Sequence, residues 1–176
     1  KAIRRQRQMC IRDRGYRTVS TNPCGEIPLC PYDSCRLLAI NLYSYVVNPF
    51  KPDAYFDFDL FKNHVALAQR IMDDIIDLEL EKIERIMAKI DSDPENEDVK
   101  HTESVLWQKI YKKSGQGRRT GVGITAEGDM LAALGLRYGT EEATEFAEKV
   151  HQTVALSAYR SSVEMAKERG AFEVYD

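Results

Sequence analysis

A long series of apolar side chains at helical spacing begins near Asp57 and sets the strongest limit on how this 176-residue chain folds. These residues recur three or four positions apart and form one wide stripe along a helix: Leu60, Phe61, Val65, Leu67, Ala68, Ile71, Met72, Ile75, Ile76 and Leu78. A second helical segment carries Ile83, Ile86, Met87 and Ile90 on one face. The sequence therefore predicts a helix buried around much of its circumference, as a helix packed outside a barrel would be.

Extended chain is predicted before this stripe. Residues 18–29 favour a strand that enters a loop, because Thr18, Val19 and Thr21 are β-branched. Residues 35–47 are apolar and β-branched enough to contain a buried strand. The predicted strands therefore lie near the start of the chain, before the helices.

Three further helices are predicted after the stripe. One covers residues 100–113 and is halted by the glycine-containing segment 114–117. The other two cover residues 124–134 and 140–169, and the glycine that follows each of them is a plausible helix end. Thr140 is a natural N-cap for the last helix.

Residues 91–98 read as a solvated acidic linker. Their charges could imitate a metal loop, but the segment lacks the glycine and the final glutamate that a calcium-binding loop needs. Gly121, Gly123 and Gly128 depart from the spacing of a nucleotide-binding loop and are interpreted as sites of close helix packing. Arg118 and Arg119 are either solvated or bound to phosphate, and the sequence leaves both alternatives open.

Composition places the chain among ordinary globular proteins, with 43% hydrophobic and 30% charged residues. No apolar run is long enough for a membrane span, and no signal peptide is visible because the basic N-terminal residues have no apolar stretch behind them, so a cytoplasmic location without membrane attachment is expected. The four cysteines are expected to be reduced thiols. The three histidines lie alone on helical segments and are expected to be structural or exposed.

The charge is unevenly distributed, because residues 1–14 carry a net charge of +5 within a chain of net charge −3. A basic arm could bind nucleic acid. Residues 9–14, however, look like translated sequencing-adapter sequence, so residues 1–14 are interpreted as a non-native or disordered leader in which Cys10 has no function. No nucleic-acid partner is expected, and residues 15–176 form the domain proper.

The chemistry is concentrated in a short run centred on Cys24. Residues two apart in an extended loop point the same way, so Asn22, Cys24 and Glu26 can all face one ligand. This face carries a hydrogen-bonding amide, a reactive thiol and a proton acceptor. Pro23 and Gly25 between them suit a constrained loop whose bare backbone a ligand can approach.

The run resembles the active-site finger loop of ribonucleotide reductases. The match is contiguous over Asn22-Pro23-Cys24-Gly25-Glu26-Ile27-Pro28-Leu29 and continues through Asp33-Ser34-Cys35-Arg36-Leu37-Leu38-Ala39-Ile40-Asn41-Leu42. Residues 118–131 resemble a glycine-bearing helix start of the same family. The resemblance implies the large, catalytic subunit and its ten-stranded α/β barrel, with the finger loop threaded through the centre. This chain would hold the loop, the following strand and several outer helices, and it would be inactive alone.

The resemblance also implies the role of each residue in the loop. Cys24 would become a transient thiyl radical that abstracts the 3′ hydrogen of the substrate ribose. Glu26 would accept the 3′-OH proton, and Asn22 would hold the ribose hydroxyls. Thr21 and Gly25 would add contacts to a ribonucleotide substrate, expected to be a ribonucleoside diphosphate.

Cys35 resembles one member of the cysteine pair that gives two electrons to the substrate and closes to a disulfide. Its family partner lies on an upstream barrel strand that this chain does not contain. A thioredoxin- or glutaredoxin-type dithiol would reduce the pair again. Cys30 could bridge to Cys35 or join a metal site, but the cysteine spacing lacks the knuckle of structural zinc. No metal ligand is therefore assigned, and Cys30 is interpreted as a packing residue.

Pro23 and Gly25 look most like the adenosylcobalamin-dependent class, although no residue here identifies the cofactor's binding site. The alternative is the large subunit of a two-subunit, di-metal reductase. A homodimer is expected for the full-length enzyme. Two interpretations from other classes remain: a non-catalytic helical interaction module, and a thiol–disulfide exchange protein, for which the cysteine spacing is unsuitable.

Overall fold

The computed structural model describes residues 16–22, 27–34 and 36–175. Most of these residues are helical, in four α-helices: α1 (Phe58–Ser92), α2 (Glu97–Gly117), α3 (Glu127–Ala133) and α4 (Glu141–Arg169). The described strands are β1 (Ser20–Thr21), β2 (Pro28–Leu29), β3 (Arg36–Asn41), β4 (Val46–Val47), β5 (Tyr55–Phe56) and β6 (Thr120–Thr125). No described helix has the length and apolar character needed to cross a membrane.

The apolar stripe forms a single 35-residue helix, so the prediction of two separate helical segments was wrong. Asp57 caps its start, since the Leu60 amide donates to Asp57 Oδ1 at 2.9 Å. Its buried residues keep helical spacing from end to end: Phe61, Val65, Ala68, Met72, Ile76, Ile83 and Ile90. The apolar period therefore continues across the charged residues between the two segments.

The acidic linker is shorter than predicted, because α1 extends to Ser92 and α2 begins at Glu97. Asn96 caps α2 through its side-chain oxygen, which accepts the amides of Asp98 and Val99. The acidic residues 97–98 thus occupy the first turn, where the helix dipole favours negative charge.

α2 also passes through the two glycines predicted to halt it and ends at Arg118 in the left-handed conformation. Close packing accounts for one of these glycines. A Cβ on Gly117 would lie 3.1 Å from the Tyr16 ring, which is a tight contact, whereas one on Gly115 would lie 3.7 Å from the Leu80 side chain, an ordinary van der Waals distance. Gly117 therefore gives the Tyr16 ring room to approach the helix.

The described strands form three two-stranded sheets: β1 with β2, β3 with β6, and β4 with β5. The first and last of these pairs are antiparallel. β6 lies where the sequence predicted only a glycine-bearing helix start, so that prediction missed a strand. β3 ends at Asn41, whose side chain caps a 3₁₀ turn over Leu42–Tyr45, and the predicted 35–47 strand is therefore interrupted.

The chain divides into two compact units. The core unit comprises residues 37–72 and 120–170, and the loop unit comprises the described residues 16–22, 27–34, 36, 73–119 and 171–175. An aromatic cluster fills the core unit, where the Tyr45 ring lies 4.9 Å from the Phe61 ring and 5.8 Å from the Phe56 ring. Around it lie further buried residues: Ile40, Leu42, Val65, Ala68, Met130, Leu131, Ala143 and Val150.

The helix ends in the core unit agree with the local signals in the sequence. Thr140 accepts the Ala143 amide and caps α4, and Gly170 follows α4 with a φ of 87°. Gly135 has a φ of 76° after α3. Both glycines have the positive φ that residues with a Cβ rarely adopt, which favours glycine at a helix end.

Candidate functional site

The stem of the predicted active-site loop is a small hairpin in the loop unit. β1 and β2 pair Ser20 with Leu29 and Thr21 with Pro28. At the end of this pairing the backbone amide of Asn22 donates to the backbone carbonyl of Ile27 at 3.1 Å. The Ile27 amide in turn donates to Asn22 Oδ1 at 2.9 Å. Asn22 and Ile27 are therefore joined by two hydrogen bonds at the base of the loop.

The residues at the tip of this loop lie outside the described part of the chain. Cys24, Gly25 and Glu26 belong to residues 23–26, and Cys35 is likewise not described. Their predicted roles stay predictions. Thr21 is described and is exposed on the hairpin stem.

Asn22 has a structural role that the sequence did not suggest, because its side-chain oxygen accepts the Ile27 amide and so helps to close the hairpin. The side-chain nitrogen carries two N–H donors. The contact of Asn22 with a ribose stays a prediction.

A buried polar cluster follows the hairpin. The Cys30 thiol lies 3.5 Å from Asp33 Oδ2 and 3.6 Å from the Pro31 carbonyl, and both distances suit a thiol that donates. Arg119 reaches the same Asp33 oxygen through Nε and Nη2, each at 2.9 Å. The second Asp33 oxygen accepts the Ser34 amide at 3.0 Å. The Asp33 side chain is only 1% exposed, so these are the contacts of a desolvated carboxylate.

This environment holds Cys30 as a thiol. Burial raises its pKa above the ordinary value of 9.0, and the negative charge of Asp33 raises it further. Lys113 and Arg119 act in the opposite direction but are outweighed. Cys30 is 4% exposed, which agrees with its interpretation as a packed residue.

Tyr16 closes one side of the same cluster. Its ring packs against Gly117, and the ammonium of Lys113 lies 4.1 Å from the ring centroid. Burial raises the pKa of Tyr16 to about 12, and the charges of Cys30 and Asp33 act in the same direction. Its hydroxyl is buried and has no hydrogen-bond partner among the described residues.

Arg36, the residue that follows Cys35, contacts two helices of the loop unit. Its Nε forms an ion pair with Glu79 on α1 at 2.5 Å, and its Nη2 donates to the Ser114 hydroxyl on α2 at 2.9 Å. The Ser114 side chain is fully buried, and Arg36 is 9% exposed. Thus both described segments next to Cys35 are anchored within the loop unit, one by the ion pair of Asp33 with Arg119 and the other by the contacts of Arg36 with α1 and α2.

The two arginines that the sequence left open both bind carboxylates. Arg118 donates to Asp73 at 2.8 Å and to Asp77 at 2.7 Å, whereas Arg119 binds Asp33. Burial alone would lower the pKa of Arg118, but its hydrogen bonds to Asp73 and Asp77 raise it above the usual value. The carboxylates of Asp73, Asp74 and Asp77 lie within 4.8 Å of one another, and Arg118 neutralises part of this charge.

The histidines are placed as expected. His64 Nδ1 lies 3.1 Å from the Tyr45 hydroxyl, and His151 lies 3.3 Å from Glu127. His101 is exposed on α2. Sequence reasoning did not identify Tyr16 or the role of Asp33. The sequence feature that could have pointed to Asp33 is its position two residues before Cys35, the cysteine predicted to be redox-active.

Comparison with known proteins gives a consistent family match. A family model described as ribonucleotide reductase, barrel domain, matches residues 7–176. The match includes residues 7–14, so the leader predicted for residues 1–14 stays a prediction.

Two of the similar curated proteins carry the name vitamin B12-dependent ribonucleoside-diphosphate reductase. The protein from Thermoplasma acidophilum is 35% identical over 156 residues, which is 89% of this chain and 17% of that protein. The protein from Mycobacterium tuberculosis strain H37Rv is 31% identical over 90% of this chain and 18% of its own length. A ribonucleoside-diphosphate reductase subunit alpha from Chlamydia pneumoniae is 28% identical over 88% of this chain and 12% of that protein. The chain thus spans less than a fifth of each of these relatives.

Proposed function

Because the chain belongs to the ribonucleotide reductase barrel-domain family, we propose that it carries the radical-bearing loop of a ribonucleoside-diphosphate reductase. The observation that supports this proposal best is the hairpin closed by Asn22 and Ile27. It holds together the two ends of the segment that contains Cys24 and Glu26. A fixed loop base limits the positions that a thiol and a carboxylate can take around one substrate.

The proposed reaction replaces the 2′-hydroxyl of a ribonucleotide by hydrogen. Cys24, as a thiyl radical, removes the 3′ hydrogen and later returns it. Glu26 accepts the 3′-OH proton, and Asn22, with Thr21 and Gly25, holds the ribose. A thiol suits this role because its S–H bond is close in strength to the activated ribose C–H bond, which makes the transfer reversible.

Cys35 supplies one half of the reducing power in this proposal. Two thiols each lose one hydrogen and join in a disulfide, and the substrate oxygen leaves as water. The partner of Cys35 comes from the part of the enzyme that this chain does not span. A thioredoxin- or glutaredoxin-type dithiol then reduces the disulfide by exchange.

The radical equivalent is proposed to come from adenosylcobalamin, because two of the similar proteins are named vitamin B12-dependent. The donor set fits such a cofactor in one respect: Cys24 offers a hydrogen atom that a radical generator can abstract. The described residues identify no group that would hold the cofactor itself. A two-subunit di-metal reductase is the second candidate, supported by the lower similarity to the Chlamydia subunit alpha.

The finer architecture belongs to the same proposal. The complete domain is expected to be a ten-stranded α/β barrel to which this chain gives the finger loop, β3 and the outer helices. The full-length enzyme is expected to be a cytoplasmic homodimer. This chain alone is expected to be inactive, because its described strands form only pairs.

Three substitutions in the full-length enzyme test the roles. Cys24→Ser should abolish deoxynucleotide formation while substrate still binds, because an O–H bond is too strong for hydrogen transfer. Cys35→Ser should permit radical initiation but block reduction, so the substrate decomposes and free base is released. Glu26→Gln should slow turnover by about 10²- to 10⁴-fold, the usual effect of losing a general base.

Cys10→Ser is the matched control, since that cysteine lies in the predicted leader, and it should leave turnover unchanged. Deoxynucleotide formation, substrate affinity and free base are measured for all four variants with adenosylcobalamin present and absent. Ordinary turnover of Cys24→Ser would refute the radical role. Turnover of the unsubstituted enzyme without adenosylcobalamin would favour the di-metal class.

A further inference from the structure

We propose that Asp33 is a specificity-determining residue that keeps Cys30 out of the enzyme's thiol–disulfide chemistry. The inference rests on the proposed function, since it concerns which cysteines of a reductase exchange disulfides. Cys24, Cys30 and Cys35 lie within twelve positions of one another. A reductase that depends on one disulfide needs a means of excluding a third thiol from the exchange.

Thiol–disulfide exchange requires a thiolate. In the competing reaction a Cys30 thiolate attacks one sulfur of the redox disulfide, forms a new S–S bond and expels the other sulfur as a thiolate. The number of disulfides is unchanged, but the pairing is wrong. The neutral thiol does not attack, so any feature that keeps Cys30 protonated suppresses this step.

The structure places a carboxylate where it has this effect. Asp33 Oδ2 lies 3.5 Å from Cys30 Sγ and accepts the thiol hydrogen. A thiolate at Cys30 would lose that hydrogen bond and face a negative charge at the same distance. Burial of Cys30 at 4% exposure adds a desolvation penalty for the charged form.

Two cations near Cys30 would otherwise activate it. Lys113 on α2 and Arg119, the residue before β6, both favour the thiolate, as basic neighbours do in reactive cysteines. The charge of Arg119 is paired with that of Asp33, because two guanidinium nitrogens each lie 2.9 Å from one Asp33 oxygen. Tyr16, a further titratable neighbour among residues 16–22, is neutral below its own high pKa. Burial and Asp33 therefore both hold Cys30 as a thiol, and Asp33 is the charged group that opposes the two cations.

The two members of the ion pair should consequently have opposite effects. Asp33→Asn removes the negative charge and leaves Lys113 and Arg119 beside the thiol. Arg119→Gln removes a cation and leaves Asp33. General disruption of the loop would instead move Cys30 in the same direction in both variants, towards the behaviour of an ordinary exposed cysteine.

The test measures alkylation of Cys30 by iodoacetamide in the full-length enzyme, followed by mass spectrometry over a range of pH. The midpoint of the rate profile should fall in Asp33→Asn and should stay or rise in Arg119→Gln. Near neutral pH, Asp33→Asn should react about tenfold faster or more, since a charged neighbour changes a pKa by about one unit or more. Tyr16→Phe is the matched control, because it alters the same pocket without changing its charge.

Peptide mapping after turnover completes the test. Asp33→Asn should accumulate disulfides that contain Cys30, and Asp33→Asn combined with Cys30→Ser should not. An unchanged midpoint in Asp33→Asn, or a lowered midpoint in both variants, would overturn the proposal. The alkylation result needs no catalysis, so it stands apart from the proposed function, which is tested separately by deoxynucleotide formation in the unsubstituted enzyme and in Cys24→Ser.

Discussion

Arg118→Ala should destabilise the protein by about 2–4 kcal/mol. Arg118 closes α2 and binds both Asp73 and Asp77, which lie one helical turn apart on α1. A hydrogen bond to a charged group contributes about 1.5–3 kcal/mol, and the Asp73 contact is of this kind because that side chain is 15% exposed. Asp77 is 53% exposed, so its contact adds only about 0.2–1 kcal/mol. The alanine variant also removes the positive charge that offsets part of the repulsion between the carboxylates of Asp73, Asp74 and Asp77.

Backbone conformation supplies the control. Arg118 has φ 39° and ψ 49°, a left-handed conformation that costs a residue with a Cβ about 1–2 kcal/mol. Arg118→Gly loses the same ion pairs but removes that strain, so it should be about 1 kcal/mol more stable than Arg118→Ala. Urea unfolding at low and high salt gives the free energies, and high salt should reduce the Asp77 share. A loss below about 0.5 kcal/mol in Arg118→Ala, or a glycine variant less stable than it, would refute this reasoning.

Three further predictions concern stability and tolerance of an insertion. Tyr16 has a folded pKa of about 12 against an ordinary value of 10.0, so its contribution to the free energy of unfolding is complete below pH 10 and is lost as the pH rises through 12. Tyr16→Phe should therefore unfold less readily than the unsubstituted protein at alkaline pH, and an unchanged alkaline melt would contradict this. Gly117→Ala should lower the melting temperature, because the added Cβ would lie 3.1 Å from the Tyr16 ring, and combination with Tyr16→Ala should remove the clash. A short Gly/Ser insertion within residues 93–96 should leave the activity of the full-length enzyme unchanged, because the segment links α1 to α2 and is largely exposed. Loss of solubility would indicate that the segment is packed.

Features set by neighbouring residues were predictable from the sequence. α4 begins with the Thr140 cap and is followed by Gly170, as its local signals indicate. The loop stem was also foreseeable, because residues 18–29 favour extended chain on both sides of Pro23 and Gly25. These signals act within a few residues and need no knowledge of the tertiary structure.

Features that depend on distant contacts were not predictable. α2 passes through Gly115 and Gly117, and the Tyr16 ring packs closely against Gly117, a contact that local propensity does not contain. β6 is defined by its pairing with β3, about eighty positions earlier in the chain. The Asp33–Arg119 ion pair joins residues 86 positions apart, so the sequence showed two charged residues but not their contact.

Release of label from substrate carrying tritium at the 3′ carbon tests the central proposal most directly. The full-length enzyme, adenosylcobalamin and the labelled ribonucleoside diphosphate are incubated with each cysteine variant. Cys10→Ser should release tritium to water as the unsubstituted enzyme does, and Cys35→Ser should still release it, because abstraction precedes reduction. Cys24→Ser should release none while binding the substrate normally. Tritium release from Cys24→Ser at the ordinary rate would show that another group abstracts the hydrogen and would contradict the role proposed for this loop.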